Sequence, residues 1–280
     1  KHMSRCAINP MTMDGGKYDI HPAKVKKTVA VIGGGVGGME VARIATIRGH
    51  KVTIYEKTDK LGGVFIPAGQ MSFKGQDRKL LDWYRRQIAN LNIEVKYNTE
   101  IRDLSEIKAD EVVVATGSTA KTLPIPGIEN AINAIDFLNK EKEVGNTVLI
   151  IGGGLTGCEI AYELSLQGKK PIIVEAKQDL MAVRGLSLAN SSYLRDYFKH
   201  NDVPVYLNSY VKDINGKNVT IVDEQGQEKV EKVDNVITAV GYNPAPIAKA
   251  SRHVHIVGDA LKVGNLRTVV WRAWEVAEKI

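Results

Sequence analysis

Cysteine is nearly absent from this 280-residue chain: there are two, Cys6 and Cys158, too few and too far apart for a disulfide-stapled scaffold. No Cys-x-x-Cys occurs, which argues against a dithiol relay. Aromatic residues make up 6%, too sparse for a platform that stacks single-stranded nucleic acid. Apolar runs are short. The stretch from Thr28 is broken by glycines and then by Glu40 and Arg43, well before the roughly 20 residues a membrane span requires. The formal charge of +6 is spread among 32 acidic residues, and only Lys24 to Lys27 is densely basic, so that stretch reads as solvated surface and no nucleic-acid partner is expected. The six histidines, His253 and His255 included, show no metal-ligand spacing. Lys1-His2-Met3 reads as a cloning scar, and no secretory succession of basic, apolar and small residues follows it. A cytoplasmic, reducing setting is the expectation. What remains is the composition of a globular protein of about two domains.

Laid over itself, the chain matches. Thr28-Val-Ala-Val-Ile32 precedes Gly33-x-Gly35-x-x-Gly38-x-x-x-Ala42, and Thr147-Val-Leu-Ile-Ile151 precedes Gly152-x-Gly154-x-x-Gly157-x-x-x-Ala161, an offset of 119 residues. The same offset pairs Gly49 with Gly168 and Glu56 with Glu175. Farther on, Asp110 to Gly117 resembles Asp234 to Gly241 at an offset of 124, as a loop insertion allows.

Each copy reads as strand, tight glycine turn, amphipathic helix, strand. In such a unit the first glycine permits the turn, the second lets backbone approach a pyrophosphate, and the third lets the helix sit against the strand. The anion then meets the amides and positive end of the helix. An acid ending the second strand takes the ribose hydroxyls, and Glu56 and Glu175 each lie 18 residues past the third glycine. Two dinucleotide sites follow. A carboxylate at the ribose repels a 2′-phosphate, so Glu175 favours NAD over NADP, with Lys177 nearby as a counterweight.

Residues 1–25 hold Pro10, Gly15, Gly16 and Pro22, lack periodicity, and read as a linker. The first nucleotide-binding domain is expected over 26–122 and 242–280, the second over 123–241, with Leu123-Pro-Ile-Pro-Gly127 as a rigid crossing. Helices are expected over about Asp77 to Leu91, whose apolar stripe is core packing, and about Thr268 to Lys279. Cys158, behind the third glycine of the second turn, is expected to be a small buried residue.

With those motifs in place, the chain resembles the two-dinucleotide flavoproteins, in which an NAD(P)H domain is inserted in an FAD domain. The resemblance covers nearly all of the chain and implies an α/β fold of two Rossmann-like three-layer domains. Leu61-Gly62-Gly63-x-x-x-x-Ala68-x-Gln70, then Lys74, then Asn98-Thr-Glu-Ile101, are similar to the carboxy-terminal half of the 2,4-dienoyl-CoA reductase, trimethylamine dehydrogenase and enoate reductase family, which also includes bile-acid-type NADH:flavin oxidoreductases. Val64 departs from the glutamine found there. Beside Gly33, Gly35, Gly38 and Glu56, the resemblance assigns to FAD Gly37, Lys57, Gly63, Lys74, Ile101 through its backbone, Ala115, Gly117, Gly258, Asp259 on the ribityl chain, and Thr268. To NAD it assigns Gly152, Gly154, Leu155, Thr156, Glu175 and Gly241.

Cys6-Ala-Ile-Asn-Pro10 resembles the end of the family's four-cysteine iron–sulfur segment. A [4Fe–4S] cluster takes four thiolates, so Cys6 would be one ligand of a cluster completed in an intact enzyme. The resemblance therefore implies a carboxy-terminal piece whose partner is an amino-terminal FMN barrel. There NADH gives hydride to FAD, and electrons pass through the cluster to FMN, which reduces an enoate-type alkene; this chain would retain the first half-reaction. No side-chain acid or base is needed for hydride transfer itself. The competing reading is a nucleotide-binding module that holds ADP where relatives hold FAD, structural or docking in role.

Overall fold

The strand Thr28–Ile32 is buried from Val29 onward and faces two layers at once. Val29 and Val31 enter one apolar cluster, while Ala30 and Ile32 enter another on the opposite face. Such two-sided burial is why the run is uniformly apolar rather than alternating. The structure, a computed structural model, describes residues 5–13, 15–140, 142–183 and 185–280; Lys1-His2-Met3 lies outside the described residues. The chain divides into two units, one comprising the segment up to Gly69, Lys74–Thr119 and Tyr242–Ile280, the other Gln70–Phe73 and Ala120–Gly241.

In the first unit five parallel strands run in the order Val254–Ile256, Glu111–Val114, Thr28–Ile32, Lys51–Tyr55, Glu94–Lys96. Helices Val36–Ile47, Gly75–Asn90 and Leu266–Lys279 contribute Met39, Ile44, Tyr84, Ile88, Trp271 and Trp274 to the core on one face. The other face is covered by irregular segments that bring Ile101, Leu104, Ile107 and Ile247 onto the sheet. Leu266–Lys279 starts two residues before the expected Thr268, because Asn265 and Thr268 form a reciprocal capping box there. Arg43 grips the buried Glu40 with two bonds of 3.0 Å and lies over the rings of both Trp83 and Trp274. Glu111, also buried, ties three neighbouring strands: it accepts from Lys27 Nζ at 2.7 Å and lies 3.2 Å from His253 Nδ1 and 2.9 Å from His255 Nε2.

The segment expected as a linker is packed along the last helix. Tyr18 is buried, meets Trp271 edge-on at 5.3 Å and donates to Glu275, and the Trp271 indole N–H donates to the Cys6 carbonyl at 3.0 Å.

In the second unit five parallel strands run Ile132–Asn133, Asn235–Thr238, Thr147–Ile151, Lys170–Val174, Val205–Tyr206; the last four repeat the order of the first sheet, but the edge strand Ile132–Asn133 precedes the others in the chain where Val254–Ile256 follows them. Val148 and Ile150 face helices Leu155–Leu166 and Leu188–His200. Leu149 and Ile151 face an antiparallel meander of Tyr210–Asn215, Asn218–Val222 and Glu228–Lys232, in the place where irregular segments cover the first sheet. The strap Gln70–Phe73 belongs to this unit: Met71 is in its core, and the Ser72 amide and hydroxyl donate to the buried Glu163 carboxylate at 2.9 and 2.7 Å. The expected architecture holds, two Rossmann-like units with the second interrupting the first between Thr119 and Tyr242.

Candidate dinucleotide sites

In the first unit the strand Thr28–Ile32 delivers the chain to Gly33 at φ +106°, where a Cβ would fall inside 3.0 Å of the Ala115 carbonyl oxygen. A Cβ on Gly38 would fall on the Gly33 carbonyl. These two glycines are required by the protein's own packing. Gly35 is different: its φ of −70° and ψ of −179° suit any residue, and nothing lies within 4 Å of its Cβ position. It caps Val36–Ile47 without a side-chain cap and with no acid in the first turn. The leading amides of that helix therefore lack intrahelical acceptors beside open space, which is the condition for receiving an anion.

The second unit repeats this atom for atom. Gly152, at φ +109°, abuts the Ala239 carbonyl, Gly157 abuts the Gly152 carbonyl, and Gly154 at φ −70°, ψ −178° has nothing within 4 Å. Leu155 and Thr156 open its helix, again without a side-chain cap or an acid in the first turn.

Both acids are anchored to their glycine turns. Glu56 Oε2 accepts the Gly34 amide at 2.8 Å, and Oε1 accepts the Thr58 amide and hydroxyl, each at 2.8 Å. Glu175 Oε2 accepts the Gly153 amide at 2.6 Å and Oε1 the Lys177 amide at 2.9 Å. Thr58 and Lys177 match at the 119-residue offset, so Glu175 has one donor fewer on Oε1 and more lone-pair capacity left for a ribose diol.

Sequence reasoning missed the residues that brace these turns. Leu61 and Leu180, again 119 apart, pack against the Gly34 and Gly153 positions. Arg85 donates to the Leu61 carbonyl at 2.7 and 3.0 Å, and Arg195 donates to the Leu180 carbonyl while pairing with Asp179 at 2.9 Å. The available signal was the similarity of Trp83-Tyr-Arg85 to Tyr193-Leu-Arg195.

Most of the other residues assigned to FAD gather near the first turn. The Gly62 amide donates to the Gly34 carbonyl at 2.8 Å, and the Cβ position of Gly63 lies 3.3 Å from the Gly35 Cα. A Cβ on Gly37 would meet Val269 at 3.2 Å and the Gly258 Cα at 3.8 Å, so the turn at Gly258 and the start of the last helix close on the same helix end. Asp259 accepts the Gly264 amide at 3.1 Å and lies 3.4 Å from the Ser118 hydroxyl, and burial pushes its carboxyl up. The Ala115 amide donates to the Ile32 carbonyl, while Gly117 at φ +76° has open space at its Cβ position. Ile101 has its side chain in the core, leaving only its backbone for a ligand. Three residues stand apart in their contacts. Lys57 is exposed, Lys74 lies 3.6 Å from Asp77, and Thr268 has both amide and hydroxyl engaged with Asn265. In the second unit Gly241, at φ +93°, also has open space at its Cβ position.

Cys158 is fully buried behind the second turn, where burial pushes its thiol up to about 12. Cys6 is partly exposed. Among the described residues no group of three or more His, Cys, Asp or Glu converges as a metal site, and no helix is long and apolar enough to cross a membrane.

The family model for pyridine nucleotide-disulphide oxidoreductases matches residues 14–106 and 92–263. The chain belongs to this family. It is 40% identical to the cinnamate reductase of Clostridium sporogenes over 98% of its own length and 42% of that protein. It is 30% identical to an NADH oxidase of Thermoanaerobacter brockii over 99% of its length and 44% of that protein. The structure of a 2-naphthoyl-CoA reductase in complex with 2-naphthoyl-CoA superposes with a TM-score of 0.88 at 29% identity, over 98% of this chain and 43% of that one. The chain thus spans less than half the length of these relatives, and it groups with the enoate reductase and trimethylamine dehydrogenase lineage that its motifs resemble. Membership of this family gives it Rossmann-type domains of the kind that bind FAD and NAD(P)H.

Proposed function

We propose that this chain is the electron-input part of a longer reductase, holding FAD in its first unit and NADH in its second. The observation that carries the reading is the pair of matched cradles: in each, the glycines the fold needs are sterically locked, and the one glycine it does not need, Gly35 or Gly154, leaves open space at an uncapped helix start. A Cβ at either position would occupy the place where a pyrophosphate meets the amides. Together the bound cofactors supply hydride transfer from nicotinamide to flavin.

The chain's own groups bind and orient. Glu56 and Glu175, held by backbone donors, present their remaining lone pairs to ribose hydroxyls. Gly63, Gly258 and Asp259 would border the flavin portion of the first site, and Asp259 is the carboxylate for its ribityl hydroxyls. Lys74 and Thr268 would contribute after release from Asp77 and Asn265. Glu175 selects NADH, because a 2′-phosphate would meet its carboxylate. In the intact enzyme Cys6 would give one of the four thiolates of a [4Fe–4S] cluster, and an FMN barrel would be the partner carrying an enoate-type substrate.

The test is to reconstitute the chain with FAD and follow its visible absorption on rapid mixing with NADH and with NADPH. The expected result is a flavin band bleached faster by NADH, with Glu175→Ala narrowing the preference. A chain that takes up ADP but no FAD would be the nucleotide-binding docking module instead, and faster bleaching by NADPH would refute the role given to Glu175.

A further inference from the structure

The chain re-enters the first unit at Tyr242, a residue that neither glycine turn nor either ribose acid accounts for. Its strand, Tyr242–Pro244, forms a two-stranded ribbon with the one that starts at Ser118, directly after the Ala115-Thr-Gly117 turn. Two bonds fix this return. The Ala245 amide donates to the Gly117 carbonyl at 3.0 Å, and the Thr116 hydroxyl donates to the Ala245 carbonyl at 2.7 Å. The Ala115 carbonyl is the one that abuts Gly33, so the ribbon springs from the glycine turn of the first cradle.

Asp259 approaches the ribbon from another segment of the same unit. Its carboxylate lies 3.4 Å from the Ser118 hydroxyl and accepts the Gly264 amide at 3.1 Å, and its charge reaches Tyr242. Tyr242 is half-buried. Burial, and then Asp259, push its phenol up, so the hydroxyl keeps its proton and remains a donor. That donor is unused: Tyr242 forms no hydrogen bond among the described residues. It is not sealed in either, because the buried side-chain polar atoms without a partner among those residues are Thr46 Oγ1 and His50 Nε2. In the second unit, by contrast, the half-buried Tyr197 and Tyr206 bond Ser165 and Glu231. A tyrosine hydroxyl packed for structure finds such a partner within the chain. The Tyr242 hydroxyl is left open beside a carboxylate.

We propose that Tyr242 is a specificity-determining contact of the first site, its hydroxyl donating a hydrogen bond to the ribityl-flavin half of FAD beside Asp259. The assignment rests on the reading of the first unit as the one that holds FAD, and adds the group by which it tells FAD from ADP. ADP would fill the pyrophosphate and ribose positions at Gly35 and Glu56 and leave Tyr242 as open as before. A site that offers a polar group to one ligand favours it over the analogue that lacks the matching group. The step is binding alone: the phenol keeps its proton and takes no part in hydride transfer.

The experiment frees the chain of flavin and titrates it with FAD, then with ADP as competitor for the same site, in the parent and in Tyr242→Phe. Removing a hydroxyl with no bond to the described residues leaves the fold intact, and ADP affinity checks this. The expected result is FAD bound about threefold to tenfold more weakly by the variant, the loss of one hydrogen bond. The visible band of the bound flavin should shift, and ADP affinity should stay unchanged. FAD affinity equal in parent and variant would overturn the assignment, and so would FAD and ADP weakened together, the signature of a structural role. The two readings fail separately. A parent chain that takes ADP but no FAD overturns the electron-input role and this contact with it. A parent that loads FAD and is bleached by NADH, beside a variant that binds FAD equally well, removes Tyr242 alone.

Discussion

Gly154→Ala separates what the fold needs from what a ligand needs. The new methyl meets no atom within 4 Å, and the backbone at φ −70° is open to alanine. Alanine is a poorer N-cap than glycine by a few tenths to about 1 kcal/mol. Its lower unfolded-state entropy returns about 0.4–1 kcal/mol. Stability should therefore change by less than about 1 kcal/mol. Binding should not be spared, because the methyl stands between the helix amides and an approaching pyrophosphate. Losing one charge-assisted bond of about 1.5–3 kcal/mol weakens NADH by about tenfold to a hundredfold. The residue lies in the second unit, so FAD content should be unchanged. Denaturant midpoints, FAD absorbance and the NADH concentration dependence of flavin bleaching give the three readings. A variant that takes NADH as tightly as the parent would show that the open side of this turn is not where the dinucleotide sits.

Gly157→Ala should behave oppositely: its methyl would lie on the Gly152 carbonyl, and a destabilisation of about 3 kcal/mol or more is expected in urea unfolding. Gly35→Ala should leave the melting temperature of the apo chain within a few degrees of the parent while abolishing retention of FAD through gel filtration. For Glu111, burial alone would raise the carboxyl, but the bonds from Lys27, His255 and His253 outweigh it and hold the group at about 2, against an ordinary 4.5. A carboxylate depressed in this way stabilises the fold fully above the unfolded value and loses that contribution as pH falls from 4.5 toward 2, on the order of 3 kcal/mol in all. Glu111→Gln should flatten the pH dependence of the urea midpoint across that window, and an unchanged slope would count against the clamp. Of the two thiols, only Cys6 should react with an aromatic disulfide in the native chain, Cys158 reacting after denaturation; two equally fast thiols would contradict the burial of Cys158.

The glycine turns and their acids were legible because a backbone that must pass a carbonyl at contact distance leaves no alternative to glycine, and the requirement is written twice. Strand edges were legible for the same local reason: Thr147–Ile151 and Lys51–Tyr55 are short β-branched runs bounded by turn residues. What stayed hidden depends on distant partners. Nothing local in Gln70 to Phe73 announces that Ser72 will satisfy Glu163, 91 residues away. Residues 5–25 lack periodicity, yet Tyr18 and Cys6 find Trp271 at the far end of the chain. The cluster of Lys27, Glu111, His253 and His255 was invisible because parallel strand order, not sequence spacing, brings those positions side by side. Arg85 and Arg195 escaped notice because an arginine on a helix is ordinarily surface.

The insertion point bears on how the chain is made. The edge strand Val254–Ile256 and the helix Leu266–Lys279 belong to the first unit but are synthesised after the whole of Ala120–Gly241. On the ribosome, the nascent first unit therefore waits with Trp271 and Trp274 missing from its interior while the later-starting unit already has every strand it requires. The half that begins first is the half that closes last, and during translation chaperones would meet its exposed sheet edge rather than that of the inserted half.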